Sequence, residues 1–384
     1  MYDVVIVGGG MAGLYTAYKL ISKNPSIKLL IFEKDKIGGR AGNILFENVQ
    51  VVTGAGVGRF KKDKLLKKLL LDLNFPINTF NSTHSYKTKL INAKRIFKIL
   101  QNAYLENPVS KTFKEFSLSI LNESTYNTFI TMSGYTDYEQ EDAYTTLFHY
   151  GFEDNLEDWT GFYVPWTKLI NKLSKIVTIQ IKQVIQIRKE KNSFRISLKD
   201  GSFVISNKVV LATTIDAVKS LVPVQKRIYS HIKGQPFLRI YAKCSEKSIP
   251  YLKSIKGMTI VNGPLQKILP IDQDKGIYMI SYSDNQNALD LLPFISDTAG
   301  NKRLFSILLE YALSIPHIEL ESIMGIYWKI GTHYFSPISV NIDEFIYKAQ
   351  HPLQNMFVVG EMVSKNQGWV EGALESVEKV IDEI

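Results

Sequence analysis

Uninterrupted apolar runs alternate with helically spaced ones along this chain, and their order sets the expected architecture. After its first acid, Asp3-Val4-Val5-Ile6-Val7 is wholly apolar, the pattern of a parallel strand covered on both faces. Gly13 to Asn24 places Leu14, Ala17, Tyr18 and Ile21 at helical spacing, and Pro25 stops the pattern. Lys28-Leu29-Leu30-Ile31-Phe32-Glu33 reads as a second buried strand, so the chain opens on a strand–helix–strand unit. Residues 76–164 are polar, aromatic and mostly helical in pattern, with no buried parallel strand. A short helix is expected over Trp166–Ile176. Strand-rich runs follow at Thr178–Arg188, Asn192–Leu198 and Ser202–Ser206, separated by Lys-Glu-Lys and Lys-Asp-Gly turns. Lys208-Val209-Val210-Leu211-Ala212-Thr213 is again a buried strand, and residues 226–344 mix strands and helices. Met356-Phe357-Val358-Val359-Gly360 is a last buried strand, and Gly372–Ile384 reads as a closing helix. Buried strands at the start, middle and end imply an α/β fold with one sheet assembled from three distant segments.

Composition narrows the class. The chain has 384 residues, 45% hydrophobic and 22% charged, which fits two or three globular domains and excludes a disordered or fibrous chain. No apolar run approaches the ~18 residues of a membrane span. Cys244 is the only cysteine, so no internal disulfide forms and a reducing compartment is expected. Met1-Tyr2 leads straight into the first strand, leaving no room for a signal or transit peptide. A soluble, intracellular, cytoplasmic protein is expected. The net charge is +9, carried by 38 lysines and 8 arginines. Its densest stretch, Lys61 to Leu71, has apolar positions on one helical face, which reads as a solvated helix face rather than a nucleic-acid surface. No nucleic-acid motif and no repeat is present.

The chemistry starts at the first turn. Gly8-Gly9-Gly10-Met11-Ala12-Gly13 fits G-x-G-x-x-G at Gly8, Gly10 and Gly13. Gly8 allows the tight turn, Gly10 lets backbone approach a pyrophosphate, and Gly13 lets the helix pack on the strand. Met11 and Ala12 open that helix, whose free N–H groups and positive dipole end would face the phosphates. Glu33 closes the next strand, with Lys34 after it, where an acid accepts hydrogen bonds from an adenosine ribose.

Beyond that acid, Gly38-Gly39-Arg40 resembles the flavin-containing amine oxidase superfamily, which includes monoamine and polyamine oxidases. The resemblance extends to Gly54-Ala55-Gly56-Val57-Gly58-Arg59, similar to a glycine-rich stretch passing under the flavin, and to the far end of the chain. There Val359-Gly360-Glu361 and Gly368-Trp369-Val370-Glu371-Gly372-Ala373 closely resemble the family's C-terminal flavin segment. The resemblance implies a Rossmann-type FAD-binding domain of the GR2 kind, built from residues 1–75, 165–225 and 345–384. A mixed α+β substrate domain would be built from 76–164 and 226–344. It implies that Arg40 braces the pyrophosphate, that Gly360 and Glu361 meet the ribitol and phosphates, and that Val370 to Ala373 face the flavin's pyrimidine edge. Ala212 ends the strand similar to the one closing that domain, and Val184 falls where the family contacts adenine. FAD is expected to be non-covalent: His333 falls near the position that carries a flavin-linking cysteine in some relatives, and Cys244 lies far upstream.

The implied activity is oxidation of an amine, with dioxygen as acceptor. Two aromatic rings would flank the amine, with Tyr334 and Trp369 in those positions. The family's lysine near flavin N5 has no counterpart here; Arg239 aligns there, and a structural salt bridge is the competing explanation. An amino-acid substrate would need an arginine for its carboxylate, and Arg59, Arg95 and Arg239 are the candidates. Eight acids between Asp137 and Asp158 are interleaved with aromatics; they read either as two solvated helix faces or as a patch steering a cationic amine. A desaturase or isomerase of the phytoene-desaturase type, and a non-catalytic FAD-binding protein, are the alternatives.

Overall fold

The computed structural model describes residues 1–338 and 340–384. Its first sheet is assembled from segments far apart in sequence. Tyr2–Val7 lies between Phe203–Leu211 and Leu29–Glu33, parallel to both. Thr178–Ile181 extends the sheet parallel beyond Leu29–Glu33, and Met356–Val358 pairs parallel with Val209 to Leu211. The alternation of the first strand explains the layering: Val4 and Ile6 enter one core cluster, Val5 and Val7 the other. The first cluster is completed by helices Met11–Lys23, Lys64–Asp72, Trp166–Ser174 and Val370–Glu378. The second is completed by Ile215–Leu221 and Ile342–Gln350.

A second sheet runs in the order Leu320–Phe335, Ile232–Cys244, Ile277–Asp284, Lys267–Asp272, Met258–Val261, His84–Lys87. On Ile232–Cys244, Leu238, Ile240 and Ala242 pack with Phe305 and Leu309 of helix Ala299–Leu313. Alternation turns Phe237, Arg239 and Tyr241 to the opposite face, where Tyr241 packs with Phe46 and Val51 of the first segment. Four helices between Ala93 and Phe148 form a separate aromatic layer around Phe113, Phe129, Tyr138 and Phe152. Among the described residues no helix is long and apolar enough to cross a membrane.

Several expected elements are redrawn. Ser202–Ser206 and Lys208–Thr213 form one strand, Phe203–Leu211, because its first half pairs antiparallel with Ser193–Leu198 and its second half parallel with Tyr2–Val7 and Met356–Val358. The Thr178–Arg188 run is two strands serving opposite edges of the sheet, Thr178–Ile181 and Val184–Glu190. The first helix starts at Met11, and the closing one runs Val370–Glu378 rather than Gly372–Ile384. Residues 76–164 also contain three short strands, Thr79–Ser82, His84–Lys87 and Trp159–Phe162, whose partners are remote in sequence.

The two ends of the chain are tied where two helices begin. Glu371, in the first turn of Val370–Glu378, accepts the backbone N–H groups of Leu65 (2.7 Å) and Leu66 (2.9 Å) at the start of Lys64–Asp72. Replacing it by Ala leaves both amides without that acceptor, so Glu371→Ala is expected to lower the unfolding free energy by about 1–3 kcal/mol in urea titrations. An unchanged midpoint would show that water serves these amides equally well.

Candidate active site

The cradle begins where glycine is obligatory. Gly8 has φ +113°, and a Cβ there would lie 2.3 Å from the Ala212 carbonyl oxygen; at Gly13 a Cβ would lie 2.0 Å from the Gly8 carbonyl oxygen. These contacts lock strand, turn and helix together. Gly10, by contrast, is partly exposed with open space at its Cβ position, and it bridges to Gly38. Met11 and Ala12 are buried, no acid lies in the first helical turn, and the leading N–H groups remain free for an anion. Glu33 is buried and accepts from Gly9 N (2.7 Å) and Asp35 N (2.9 Å); Lys34 beside it is exposed. Val184 is buried in the cluster that holds Phe32, next to Glu33.

From Gly10 the exposed, side-chain-poor path continues through Gly39 and Arg40 to Gly54, Ala55, Gly56 and Val57, all partly exposed between buried neighbours. Ala212, Gly360 and Val370 are partly exposed along the same path, and Ala373 is buried behind it. Gly360 has φ +130° and donates its N–H to Ser376 Oγ. This path suits an extended dinucleotide with its phosphates at the helix N-terminus.

Glu361 joins the path at its centre. Its Oε1 accepts from Arg40 Nη1 (2.9 Å) and from His333 Nδ1 (2.5 Å), and its Oε2 faces Gly368 N at 3.4 Å. His333 Nε2 accepts from Ile215 N (3.2 Å), so Nδ1 carries the hydrogen given to Glu361. Burial alone would raise the Glu361 carboxyl, but His333 and Arg40 outweigh it and hold the group at about 2. Arg40, expected to brace a pyrophosphate, is therefore anchored by Glu361 and the Gly331 carbonyl while staying partly exposed. Both His333 ring nitrogens are engaged, and Cys244 is buried with its thiol pushed up to about 12 by burial.

Trp369 caps the closing helix and is partly exposed. The Arg59 guanidinium stacks 3.9 Å from its ring, and Trp159 meets it edge-on. Tyr334 is partly buried, with its hydroxyl pKa raised by burial and by Glu141. No stacking contact joins the two rings among the described residues, and the group beside Gly368 is the Thr332 methyl. Arg239 is only 7% exposed, and among the described residues it has no ion-pair partner, so the salt bridge is not there. Its guanidinium stacks on Tyr282 at 4.5 Å, with Nη2 3.8 Å from the Cβ position of Gly56.

The acidic segment is not a pair of solvated helix faces. Asp137, Glu141 and Asp142 are buried, and the outer acids are paired: Glu153 and Asp154 with Lys62, Asp154 with Arg59, Glu157 with Lys94. Burial, then the charge of Asp284, raises the Asp137 carboxyl, while Tyr150 Oη donates to it at 2.7 Å. Burial also lifts Glu141 well above the usual range against a hydrogen bond from Thr146 Oγ1. Sequence reasoning missed Lys267, which is fully buried between the rings of Tyr135 (3.0 Å to the centroid) and Tyr282 (4.5 Å) and donates to the Gly134 carbonyl. Burial lowers its pKa, opposed by Asp284 and Asp137. A lysine among Leu265, Gln266 and Ile268 carries no motif that would have marked it.

Residues 6–69 match the model of NAD(P)-binding Rossmann-like domains. Over its full length the chain shares the fold of putrescine oxidase solved with putrescine bound: TM-score 0.79 at 13% identity, covering 100% of this chain and 98% of that one. Uncharacterized protein R188 of Acanthamoeba polyphaga mimivirus is 20% identical over 99% of this chain and 93% of its own. FAD-dependent oxidoreductase dpasF of Apiospora sacchari is 32% identical over 21% of this chain, and probable flavin-containing monoamine oxidase A of Dictyostelium discoideum 32% identical over 32% of it. Those two matches span 17% and 25% of the relatives' own lengths. The likeness to putrescine oxidase is one of fold, and it extends over the whole chain.

The Glu361 cluster has a pH signature. Its folded pKa lies below the unfolded one, so its contribution is complete above the unfolded value and is lost as pH falls towards the folded value of about 2. Glu361→Gln is expected to cost about 3 kcal/mol near pH 7, with the gap to the parent narrowing below about pH 4.5. Urea unfolding across that range checks it; a gap independent of pH would show that the carboxylate charge is not what matters.

Proposed function

We propose that this chain is an FAD-dependent oxidoreductase that oxidises the C–N bond of a small amine to an imine, with dioxygen as acceptor and hydrogen peroxide as co-product. The observation carrying this reading is the side-chain-poor path from Gly10 through Gly54–Val57 to Gly360, which starts at a free helix N-terminus and is lined by Arg40 and Val370. FAD held there supplies a two-electron acceptor for the hydride leaving the substrate carbon. The cofactor is non-covalent: His333 is occupied at both nitrogens, and the Cys244 thiol is buried in the second sheet.

The chain's own residues do the rest. The N–H groups at the start of Met11–Lys23 and the Arg40 guanidinium hold the phosphates. The start of Val370–Glu378 favours negative charge at the flavin ring. Trp369 forms one wall of the amine site. Tyr334, on the same strand face as Thr332, forms the next. Arg59, spread over Trp369 and held by Asp63 at 2.7 Å and Asp154 at 3.2 Å, fixes the ring's plane. Hydride loss needs the neutral amine, and deprotonating an ordinary aliphatic amine at neutral pH takes about 4 kcal/mol. Aromatic, water-poor walls supply that preference.

Anaerobic mixing of the purified holoprotein with a panel of monoamines, polyamines and amino acids should bleach the flavin. Colour should return with peroxide formation when air is admitted. A flavin that no member of the panel bleaches, while a polyene or other unsaturated lipid is turned over, would replace this reading with a desaturase.

A further inference from the structure

Among the described residues no carboxylate lies within ion-pair distance of the buried Arg239 guanidinium. Lys267 approaches the same Tyr282 ring, with its Nζ 4.5 Å from the centroid, but Asp137 and Asp284 act on it as opposing charges. Asp284 is itself satisfied by Thr136 N at 3.0 Å and Gln266 Nε2 at 3.1 Å. Tyr241, on the same strand face as Arg239, is satisfied by the Val52 carbonyl. The side chains acting most strongly on Arg239 are aromatic: Tyr282, Tyr241 and Tyr135. Its Nη1 is buried, with no hydrogen-bond partner among the described residues. Nη2 points at Gly56, within the partly exposed stretch assigned above to the flavin.

An unpaired buried guanidinium is costly to fold, and a planar fork of donors matches a carboxylate in two parallel hydrogen bonds. The other candidate arginines are spent. Arg59 is taken by Asp63, Asp154 and Asn366, and the Arg95 side chain lies on the exposed surface. We propose that Arg239 binds the carboxylate of the substrate, and that the amine oxidised here is an amino acid rather than a simple amine or diamine. This rests on the amine-oxidising reading and specifies its substrate class.

Benzoate, a carboxylate that cannot be dehydrogenated, is the binding probe, titrated calorimetrically into the holoprotein. Wild type should bind it, Arg239→Met should weaken binding at least about 30-fold, and Arg239→Lys should fall between. FAD affinity, measured separately, should not change. Arg239→Met should also melt at the same temperature as wild type or higher, because an unpaired buried charge has gone. In anaerobic bleaching, L-phenylalanine should outpace phenethylamine and L-ornithine should outpace putrescine. Failure of wild type to bind benzoate, or equal binding by Arg239→Met, would overturn the proposal. Loss of FAD together with benzoate would overturn it too, by placing Arg239 on the cofactor. Bleaching by the amines but not by the amino acids would overturn it while leaving the amine-oxidising reading standing. Should nothing bleach the flavin, that reading fails, and the benzoate titration still decides whether Arg239 holds a carboxylate.

Discussion

One buried carboxylate joins the segments of this chain that matter for its chemistry. Glu361 meets Arg40 from the first segment, His333 from the last strand of the second sheet, and the turn at Gly368. His333 passes the constraint on to Ile215, just beyond the strand that ends at Leu211. Burying a carboxylate is tolerable only when charge and hydrogen bonds surround it. The cluster is therefore complete only when three regions far apart in sequence have met. The path along Gly10, Gly39, Gly54–Val57 and Gly360 depends on the same meeting.

The distribution of charge separates scaffold from site. Of the outer acids of the 135–158 region, Glu153 and Asp154 hold Lys62 and Arg59 and so tie the helical layer to the first segment, while Glu157 holds Lys94 within the layer. Farther inside, Asp137 and Asp284 both act on the buried Lys267 next to Tyr135 and Tyr282. Arg239 makes no direct ion pair among the described residues, and that missing contact is more informative than the many pairs present elsewhere.

Much of the nucleotide half was legible because its constraints are local. A wholly apolar strand, Gly8, Gly10 and Gly13, and an acid at the end of the next strand each leave a mark within a few residues. Other features depend on partners that one sequence does not reveal. The polar Ser206-Asn207-Lys208 stretch hid the continuity of Phe203–Leu211, because the strand changes partner there. The acids at 137–142 have the composition of a solvated helix and become buried only because Tyr150, Thr146 and the N-terminus of Ala143–Phe148 meet them. Lys267 was invisible for the same reason: its neighbours Gly134, Tyr135 and Tyr282 come from two remote segments. The assignments of Tyr334 and Trp369 to the amine site continue to rest on resemblance and on their position near Thr332 and Gly368.

The direct test of convergence is the stoichiometry of FAD on the intact chain. Cofactor is stripped, and FAD is then added back under calorimetry with the visible flavin spectrum recorded in parallel. One FAD per chain is expected, bound tightly and released intact on denaturation. A folded chain that takes up no FAD, or that keeps its flavin attached after denaturation, would contradict it.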